Sequence, residues 1–572
     1  MTNPENFDVV ISGLGPTGLT LAHLLGKRGI SVLVLEREPR FYGNARAVYT
    51  DDECMRIFQA AAMADELAAD MLQDAIFQWV LPNGKVLNQL IQTERPYGWP
   101  ANNLFYQPFL ETTLAERLAR YPHVSVRRGR ELTRFNQDAD GVTVFHAAFR
   151  ERTPDERKKG CEAIDHPEAD EESVRGSYLV GCDGGRSTVR AQLNIGMTGK
   201  SFPNPWIVVD IKERAGEDCL RHLPYFNFVC DPACPTVSCR QPGGHHRFEF
   251  MLMPGQTREY MEDPATVRKL LSKYVDVDKV DILRSLVYTF NALVAGQWRD
   301  ERIFLAGDAA HMTPQFVGQG MNAGVRDAYN LAWKLALVLR GSATPALLDS
   351  YQAERLPHAR AMIDTSIRMK NYVSVANPVL SALRNAATFS AKNLPGLRDY
   401  FAKAKFKPRP RYRDGQYFGL PRRRQAGPEG EQIPQPTVMT RDGKRQLLDD
   451  VLGDGFGVIG FGIDPRTRLS PEKLATLARL DASFVTIFPL GGRPQGPQTD
   501  RSAPKGLPEL EDCSGELIAW LRKSGGKQGY VALIRPDKFA FALVPGDEFP
   551  SAVRDLAGQL GFAETSAHPV AA

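Results

Sequence analysis

Residues 302–334 read RIFLAGDAAHMTPQFVGQGMNAGVRDAYNLAWK, and the order of residue types in them decides how the rest of the chain is read. An apolar strand, Ile303 to Ala306, runs into Gly307-Asp308, a loop carrying Gly318 and Gly320 follows, and a long amphipathic helix is predicted from near Asn322. A strand, an acid, a glycine loop and a helix start make a place for a polar, partly anionic ring cofactor. The Asp308 carboxylate can accept hydrogen bonds from sugar-like hydroxyls, the glycines let backbone approach a ligand, and the helix start offers free N–H groups with a partial positive charge. An ordinary strand-loop-helix crossover is the bland alternative, and it explains Gly307-Asp308 alone better than it explains the whole run.

A second pattern of this kind opens the chain. Phe7 to Ser12 is a short apolar strand, followed by Gly13-Leu14-Gly15-Pro16-Thr17-Gly18, a helical run from Leu19 to Lys27, and a strand, Ser31 to Leu35, ending at Glu36-Arg37. This is G-x-G-x-x-G between strand and helix, with an acid 21 residues beyond Gly15. Glycines permit the tight turn and close helix packing, the helix start receives a pyrophosphate, and the acid bonds ribose hydroxyls. The pattern predicts a dinucleotide without separating FAD from NAD. A third glycine–acid cluster, Gly181-Cys182-Asp183-Gly184-Gly185-Arg186-Ser187, follows a strand at Ser177 to Val180.

Composition excludes several classes. The 572 residues suffice for two to four domains, and 43% hydrophobic with 24% charged residues is ordinary for a globular protein. A net charge of +4 on so long a chain implies no bulk attraction to nucleic acid or to a membrane surface. No apolar run reaches the roughly 18 residues of a membrane span, and MTNPENFDVV lacks a signal-peptide pattern. The eight cysteines are scattered, so a cytoplasmic setting is expected. Cys230, Cys234 and Cys239 with His245 and His246 match no common zinc spacing, and no metal is expected.

The three clusters together resemble the class A, single-component flavoprotein aromatic hydroxylases. Gly307-Asp308-Ala309-Ala310-His311, Pro314 with Gly318-Gln319-Gly320-Met321-Asn322, and Arg326 through Leu335 match that family's second flavin fingerprint. The resemblance decides for FAD. It implies that Asp308 holds the ribityl chain and that backbone at Gly320, Met321 and Asn322 faces the pyrimidine end of the isoalloxazine. It also implies that Arg46 and Gln107 lie by the cofactor and that Asp183 serves FAD and a passing nicotinamide. Some relatives place an acid or histidine two residues after the arginine, where this chain has Val48; Tyr49 beside it is the substitute in view. Arg247 is implied to face flavin or substrate, an exposed salt bridge to Glu249 being the alternative. Acid-hydroxylating relatives often carry an arginine where this chain has Leu293, which weakens the expectation of a carboxylate-bearing substrate.

The implied architecture is α/β: a Rossmann-like FAD-binding domain of glutathione-reductase type, an antiparallel substrate-binding sheet and a C-terminal thioredoxin-like domain. The FAD domain is expected at 1–80, 105–200 and 290–377, the substrate sheet at 81–104 and 201–289, a linker at 378–436 and the last domain at 437–572. Strands Trp206 to Ile211, Tyr225 to Cys230, Thr236 to Arg240 and His246 to Met253 alternate with period two, with Phe248 and Phe250 on one face and Arg247 and Glu249 on the other. Residues 151–175, 14 of them charged, read as a hairpin excursion. In the last domain, Ile463-Asp464-Pro465-Arg466 stands where a redox thioredoxin needs C-x-x-C, so thiol chemistry is not expected. The function implied is ortho-hydroxylation of a small phenol, of the 3-(3-hydroxyphenyl)propionate type or related, through a flavin hydroperoxide. FAD is resident, NADH or NADPH a transient co-substrate, and molecular oxygen the oxidant; a homodimer is left open. Two rivals remain: an FAD reductase or oxidase without oxygen insertion, and a non-catalytic flavoprotein that binds aromatic compounds.

Overall fold

A computed structural model describes residues 5–41, 45–150, 171–202, 205–392, 394–419, 427–494 and 506–562. The chain divides into two compact units. The first comprises Met1–Arg95, Pro100–Ala328 and Ala359–Pro408; the second Pro96–Trp99, Tyr329–His358 and Arg409–Ala572.

The first unit is built on a sheet whose strands run in the order Arg299–Asp300, Ile303–Leu305, Glu172–Gly181, Glu5–Ser12, Val32–Glu36 and Val124–Arg128. The last five are mutually parallel. Val9, Val10, Ile11, Val32, Leu33 and Val34 are fully buried, which is why these segments read as unbroken apolar runs and not as alternating ones. The helix Pro16–Gly26 crosses between the first two of these strands in chain order, with proline in its first turn where a missing N–H does no harm.

The hairpin expected at 151–175 falls largely on 151–170, outside the described residues. Its last part is strand: Glu172–Gly181 begins well before Ser177, because Glu172 to Gly176 pair with Val142 to His146. Backbone pairing there outweighs a highly charged composition. The helix of the opening stretch begins at Gln319, three residues before the expected start, directly after Gly318, which ends the short 3-10 turn Gln315–Val317 in the left-handed conformation at φ +61°.

A second sheet of this unit runs Val280–Tyr288, Trp206–Glu213, His245–Met251, Thr236–Arg240, Phe226–Val229, Phe77–Val80, Val86–Leu90. All neighbours are antiparallel except Phe226–Val229 beside Phe77–Val80. Register assigns the faces: Ile207 opposes Phe250 and Val209 opposes Phe248, and these pack with Met261, Val267 and Leu271 of two short helices. The other face carries Val208 opposite Glu249 and Asp210 opposite Arg247. The segment read as a linker holds two helices, Pro378–Lys392 and Pro395–Ala402.

The second unit carries a sheet in the order Arg445–Leu447, Thr437–Met439, Glu509–Asp512, Ser483–Pro489, Gly457–Phe461, Tyr530–Ile534, Ala540–Pro545. The central three, Glu509–Asp512, Ser483–Pro489 and Gly457–Phe461, are parallel, and the last two are antiparallel. Leu477, Phe549 and Val553 cover one face; Leu517, Ile518 and Leu521 cover the other. One strand of this sheet, Glu509–Asp512, has no apolar pattern to announce it. Three of its four residues are acidic, which hides it from a pattern search. The Asp512 carboxylate accepts from the N–H groups of Gly515 and Ile518 and so anchors the helix that follows.

Candidate active site

The three glycine–acid clusters lie at the carboxyl ends of four neighbouring parallel strands. Val32–Glu36 ends at Glu36, Glu5–Ser12 at Gly13, Glu172–Gly181 just before Asp183, and Ile303–Leu305 just before Gly307-Asp308. At about 4.8 Å between strands, Glu36 and Asp308 are separated by roughly 14 Å across the sheet edge. Ligands of open α/β sheets occupy such a crevice.

Local contacts explain the glycines. Gly13 has φ +103°, and a Cβ there would stand 2.5 Å from Cys182 O, tying the Gly13–Gly18 cluster to the Gly181–Ser187 cluster. A Cβ on Gly18 would run into Gly13 O, whereas one on Gly15 would meet no atom of the described residues within 4 Å. The open space is therefore at Gly15, in front of the helix that starts at Pro16 and Thr17. Gly307, at φ +62°, lies against Thr17, where a Cβ would come within 2.7 Å of Oγ1. Glu36 Oε2 accepts from Leu14 N–H at 2.7 Å and its Oε1 from Glu38 N–H at 2.9 Å, while Arg37 points outward beside Glu38. Arg190 donates to Ala309 O and Gly185 O, joining the Gly307-Asp308 cluster to the Gly181–Ser187 cluster.

Asp183 Oδ2 accepts from Val189 N–H, but Oδ1 is buried without a hydrogen-bond partner among the described residues. Burial pushes this carboxyl above its usual range. Such an orphan oxygen calls for a ligand donor. With the open space at Gly15 and the half-buried Asp308, it makes the residues present fit FAD.

The loop from Pro314 to Gly320 is held from below. Asn322 donates to Gly318 O at 2.8 Å and to Tyr49 O, and accepts from Thr50 Oγ1. A Cβ on Gly318 would come 2.6 Å from the Tyr49 ring. Gly320 and Met321 follow in the first turn of the helix. Beneath them Asp51 accepts from Arg326, Lys407 and Gln319. Burial alone would raise the Asp51 carboxyl, but Arg326 and Lys407 hold it well below the usual carboxylate range. Lys407 was invisible to sequence reasoning, since it stands in the basic, proline-rich run taken for a connector.

Arg46 and Gln107 also come together. Gln107 Oε1 accepts from the N–H of Arg46 at 2.6 Å and of Ala47 at 2.7 Å, and its Nε2 donates to Glu111. Gln107 thus fixes the Arg46 backbone. Gln107→Ala is expected to cost about 1–3 kcal/mol of stability by leaving two N–H groups without their acceptor; an unchanged urea midpoint would refute this role.

The two residues in view for catalysis, Tyr49 and Arg247, are both buried and bonded within the protein. Tyr49 is buried, its hydroxyl donates to Asn102 Oδ1 at 3.2 Å or Ala101 O at 3.3 Å, and burial pushes its pKa upward. A phenol so placed is a poor proton acceptor, so Tyr49 is a floor under Gly318. Arg247 makes no exposed bridge to Glu249. It is buried, pairs with Asp210 at 2.7 Å, and donates to the carbonyls of Ala45 and Arg46. Arg284 also reaches Asp210, at 2.6 Å, and Ala45 O. Strand register brings Asp210 to Arg247 from 37 residues away, a partner no local pattern reveals.

The sheet face that carries Arg247 and Glu249 is rich in aromatic rings. Phe77 packs against Phe226 at 4.5 Å with the rings tilted by 32° and meets Tyr49 edge-on, and Trp79 stacks on Phe228 at 5.2 Å. Trp206 and Phe290 both pack edge-on to Phe316 of the loop.

A cofactor crevice of this kind beside an aromatic-lined sheet defines a flavoprotein, and the family described as the FAD binding domain matches residues 6–366. The chain belongs to that family, as an FAD-dependent aromatic monooxygenase. Residues 430–559 match the family described as the HcaD C-terminal domain. A relative in Klebsiella pneumoniae (strain 342), a 3-(3-hydroxy-phenyl)propionate/3-hydroxycinnamic acid hydroxylase, is 37% identical over 536 residues, 94% of this chain and 91% of that protein. A protein of the same name in Escherichia coli (strain SMS-3-5 / SECEC) is 37% identical over 541 residues, 94% of this chain and 92% of its own length. Among solved structures, the flavin-dependent monooxygenase PieE superposes with a TM-score of 0.75 at 21% identity, covering 98% of this chain and 99% of that one. Aklavinone-11 hydroxylase gives 0.72 at 22% identity, with 97% and 99% covered. At these identities the likeness to the solved structures is one of fold. No helix among the described residues is long and apolar enough to cross a membrane.

Proposed function

We propose that the chain hydroxylates a small phenol ortho to its hydroxyl, giving a catechol, with NADH or NADPH as reductant. The substrate is of the 3-(3-hydroxyphenyl)propionate type or a related substituted phenol. The balance is phenol, O2, NAD(P)H and a proton going to catechol, water and NAD(P)+. In this reading the parallel sheet of the first unit is the Rossmann-like FAD-binding domain, and the sheet of the second is thioredoxin-like without a C-x-x-C.

The carrying observation is the meeting of three glycine–acid clusters at one strand edge, in the same unit as a sheet face lined with aromatic rings. Bound FAD supplies the redox and oxygen chemistry. Glu36 and the Gly15 turn take its ribose and pyrophosphate, Asp308 its ribityl hydroxyls, Asp183 a polar edge, and the loop backbone at Gly320, Met321 and Asn322 its ring. The aromatic face orients the phenol and excludes water. The test is an oxygen electrode with purified protein, FAD, NADH or NADPH, and a panel of phenols. Phenol-dependent oxygen uptake with a catechol product is the expected result. A protein that takes up no FAD, or that forms hydrogen peroxide without catechol from every phenol, would overturn the reading.

A further inference from the structure

The reading above leaves the phenol proton without an acceptor. Val48 has no proton chemistry, Tyr49 is engaged with Asn102, and Asp51 is locked by two cations. One carboxyl of the substrate sheet is placed differently. Glu249 stands on the strand His245–Met251, two residues after Arg247, so alternation turns both away from the Phe248 and Phe250 core. It is 5% exposed, and its Oε2 accepts from Gln315 Nε2, in the loop between Pro314 and Gly318. Its direct cross-strand neighbours are Val208 and Val237, both apolar, and Phe228 and Trp79 continue the same row.

The charged groups around it are committed elsewhere. Arg247 on its own strand and Arg284 on Val280–Tyr288 both bond Asp210 of Trp206–Glu213. Cys239, on Thr236–Arg240, is a buried thiol whose pKa burial drives up. The loop contributes the uncharged Gln315. Glu249 therefore makes no ion pair among the described residues, and a buried carboxylate with one amide donor lacks a second partner on a face built for an aromatic guest. We infer that Glu249 accepts the proton of the substrate's phenolic hydroxyl, with Gln315 holding the carboxylate toward the ring.

The assignment rests on the hydroxylase reading and names the proton acceptor within it. The phenol O–H bond breaks, the proton passes to a Glu249 carboxylate oxygen, and the electron pair stays on the phenolate, enriching the ortho carbon. That carbon then forms its C–O bond with oxygen drawn from O2, the nicotinamide hydride having supplied the electrons. The ortho C–H proton is lost as aromaticity returns, and Glu249 releases its own proton to water. Burial pushes the Glu249 carboxyl up and Arg247 draws it back, leaving it at about 7. It is ionised above that value and able to accept, and protonated below it.

The test uses the FAD-loaded enzyme, Glu249→Gln, Glu249→Asp, and 3-hydroxycinnamate as probe, whose phenolate absorbs to the red of the phenol. Wild type is expected to bind the probe as phenolate at about pH 8, well below the ordinary phenol pKa of about 10, and to lose that signal as pH falls through 7. Glu249→Gln should hold FAD and probe yet leave the phenol protonated, with turnover down roughly 100-fold; Glu249→Asp should restore part of the signal at a shifted inflection. An unchanged ionisation profile in Glu249→Gln would overturn the assignment. If Glu249→Gln fails to fold, an Asp variant with the wild-type inflection would overturn it equally. Wild type that ionises the probe but hydroxylates no phenol defeats the hydroxylase reading alone, because the ionisation signal still decides Glu249.

Discussion

Replacing Gly15 with alanine is expected to leave the apoprotein as stable as before and to strip it of FAD, while the same change at Gly18 disrupts the fold itself. The two glycines belong to one turn and differ in what a methyl group meets. At Gly18 the Cβ would collide with Gly13 O, a backbone atom that cannot swing aside, with the Ile11 side chain 3.4 Å behind it. Helix and strand must then separate, and overpacking of this kind costs about 1–3 kcal/mol or more. Gly15 has φ −75°, which alanine adopts freely, and no atom of the described residues lies within 4 Å of its added Cβ. Loss of the glycine cap should cost less than about 1 kcal/mol, a shift of about 3 °C at most in the melting midpoint. The methyl group fills the space in front of the helix start, where a pyrophosphate would lie. FAD affinity should fall about 100-fold, or roughly 2.7 kcal/mol. Thermal melts of apoprotein and fluorescence titration with FAD check both halves. A Gly15→Ala protein that binds FAD like wild type would remove the phosphate site from this turn.

The spacing of Gly13, Gly15, Gly18 and Glu36 is local chemistry, written in a strand, a turn and a helix that are contiguous in the chain, so their placement followed from pattern alone. The same holds for Gly307-Asp308 and the helix beyond it, although that helix starts at Gln319, three residues ahead of Asn322 and directly after Gly318. What stayed hidden depends on pairing between distant segments. Arg247 finds Asp210 through strand register. Glu249 is separated from its sequence neighbour Arg247 and bonds Gln315, 66 residues away. Lys407 reaches Asp51 from 356 residues away, out of a run whose composition suggested only solvent. Composition reports average environment, and these three contacts are exceptions to it.

The second unit supplies a comparable case and a large expected effect. Glu354→Ala should destabilise the protein by about 3–5 kcal/mol, because it leaves buried Lys334 without its carboxylate and takes from Arg535 one of the two acids, Glu354 and Asp537, that hold it. Glu354 Oε1 accepts from Arg535 Nη1 at 2.6 Å and from Gln416 N–H; Oε2 accepts from Arg535 Nη2 at 2.8 Å, Lys334 Nζ at 2.7 Å and Asn330. Arg535, Lys334 and Glu354 are all fully buried, and Arg535 lies among the rings of Trp333, Tyr412, Tyr417 and Phe539 at 5.2–5.8 Å. Burial on its own would raise the Glu354 carboxyl, but Arg535 and Lys334 draw it down to about 2. A depressed carboxylate contributes stability that is present above its unfolded pKa of about 4.3 and lost on acidification toward the folded value. Wild type should therefore lose stability between about pH 4.3 and pH 2 through this group, and Glu354→Gln should flatten that limb of the curve. Replacing Glu354, Lys334 and Arg535 by apolar residues together with Asp537, which pairs with Arg535 at 2.6 Å, should cost far less than Glu354→Ala, since no orphan charge then remains in the cluster. Urea unfolding of the three variants across pH separates these outcomes. If Glu354→Ala costs under about 1 kcal/mol, the cluster behaves like an exposed pair, and the argument from burial is wrong.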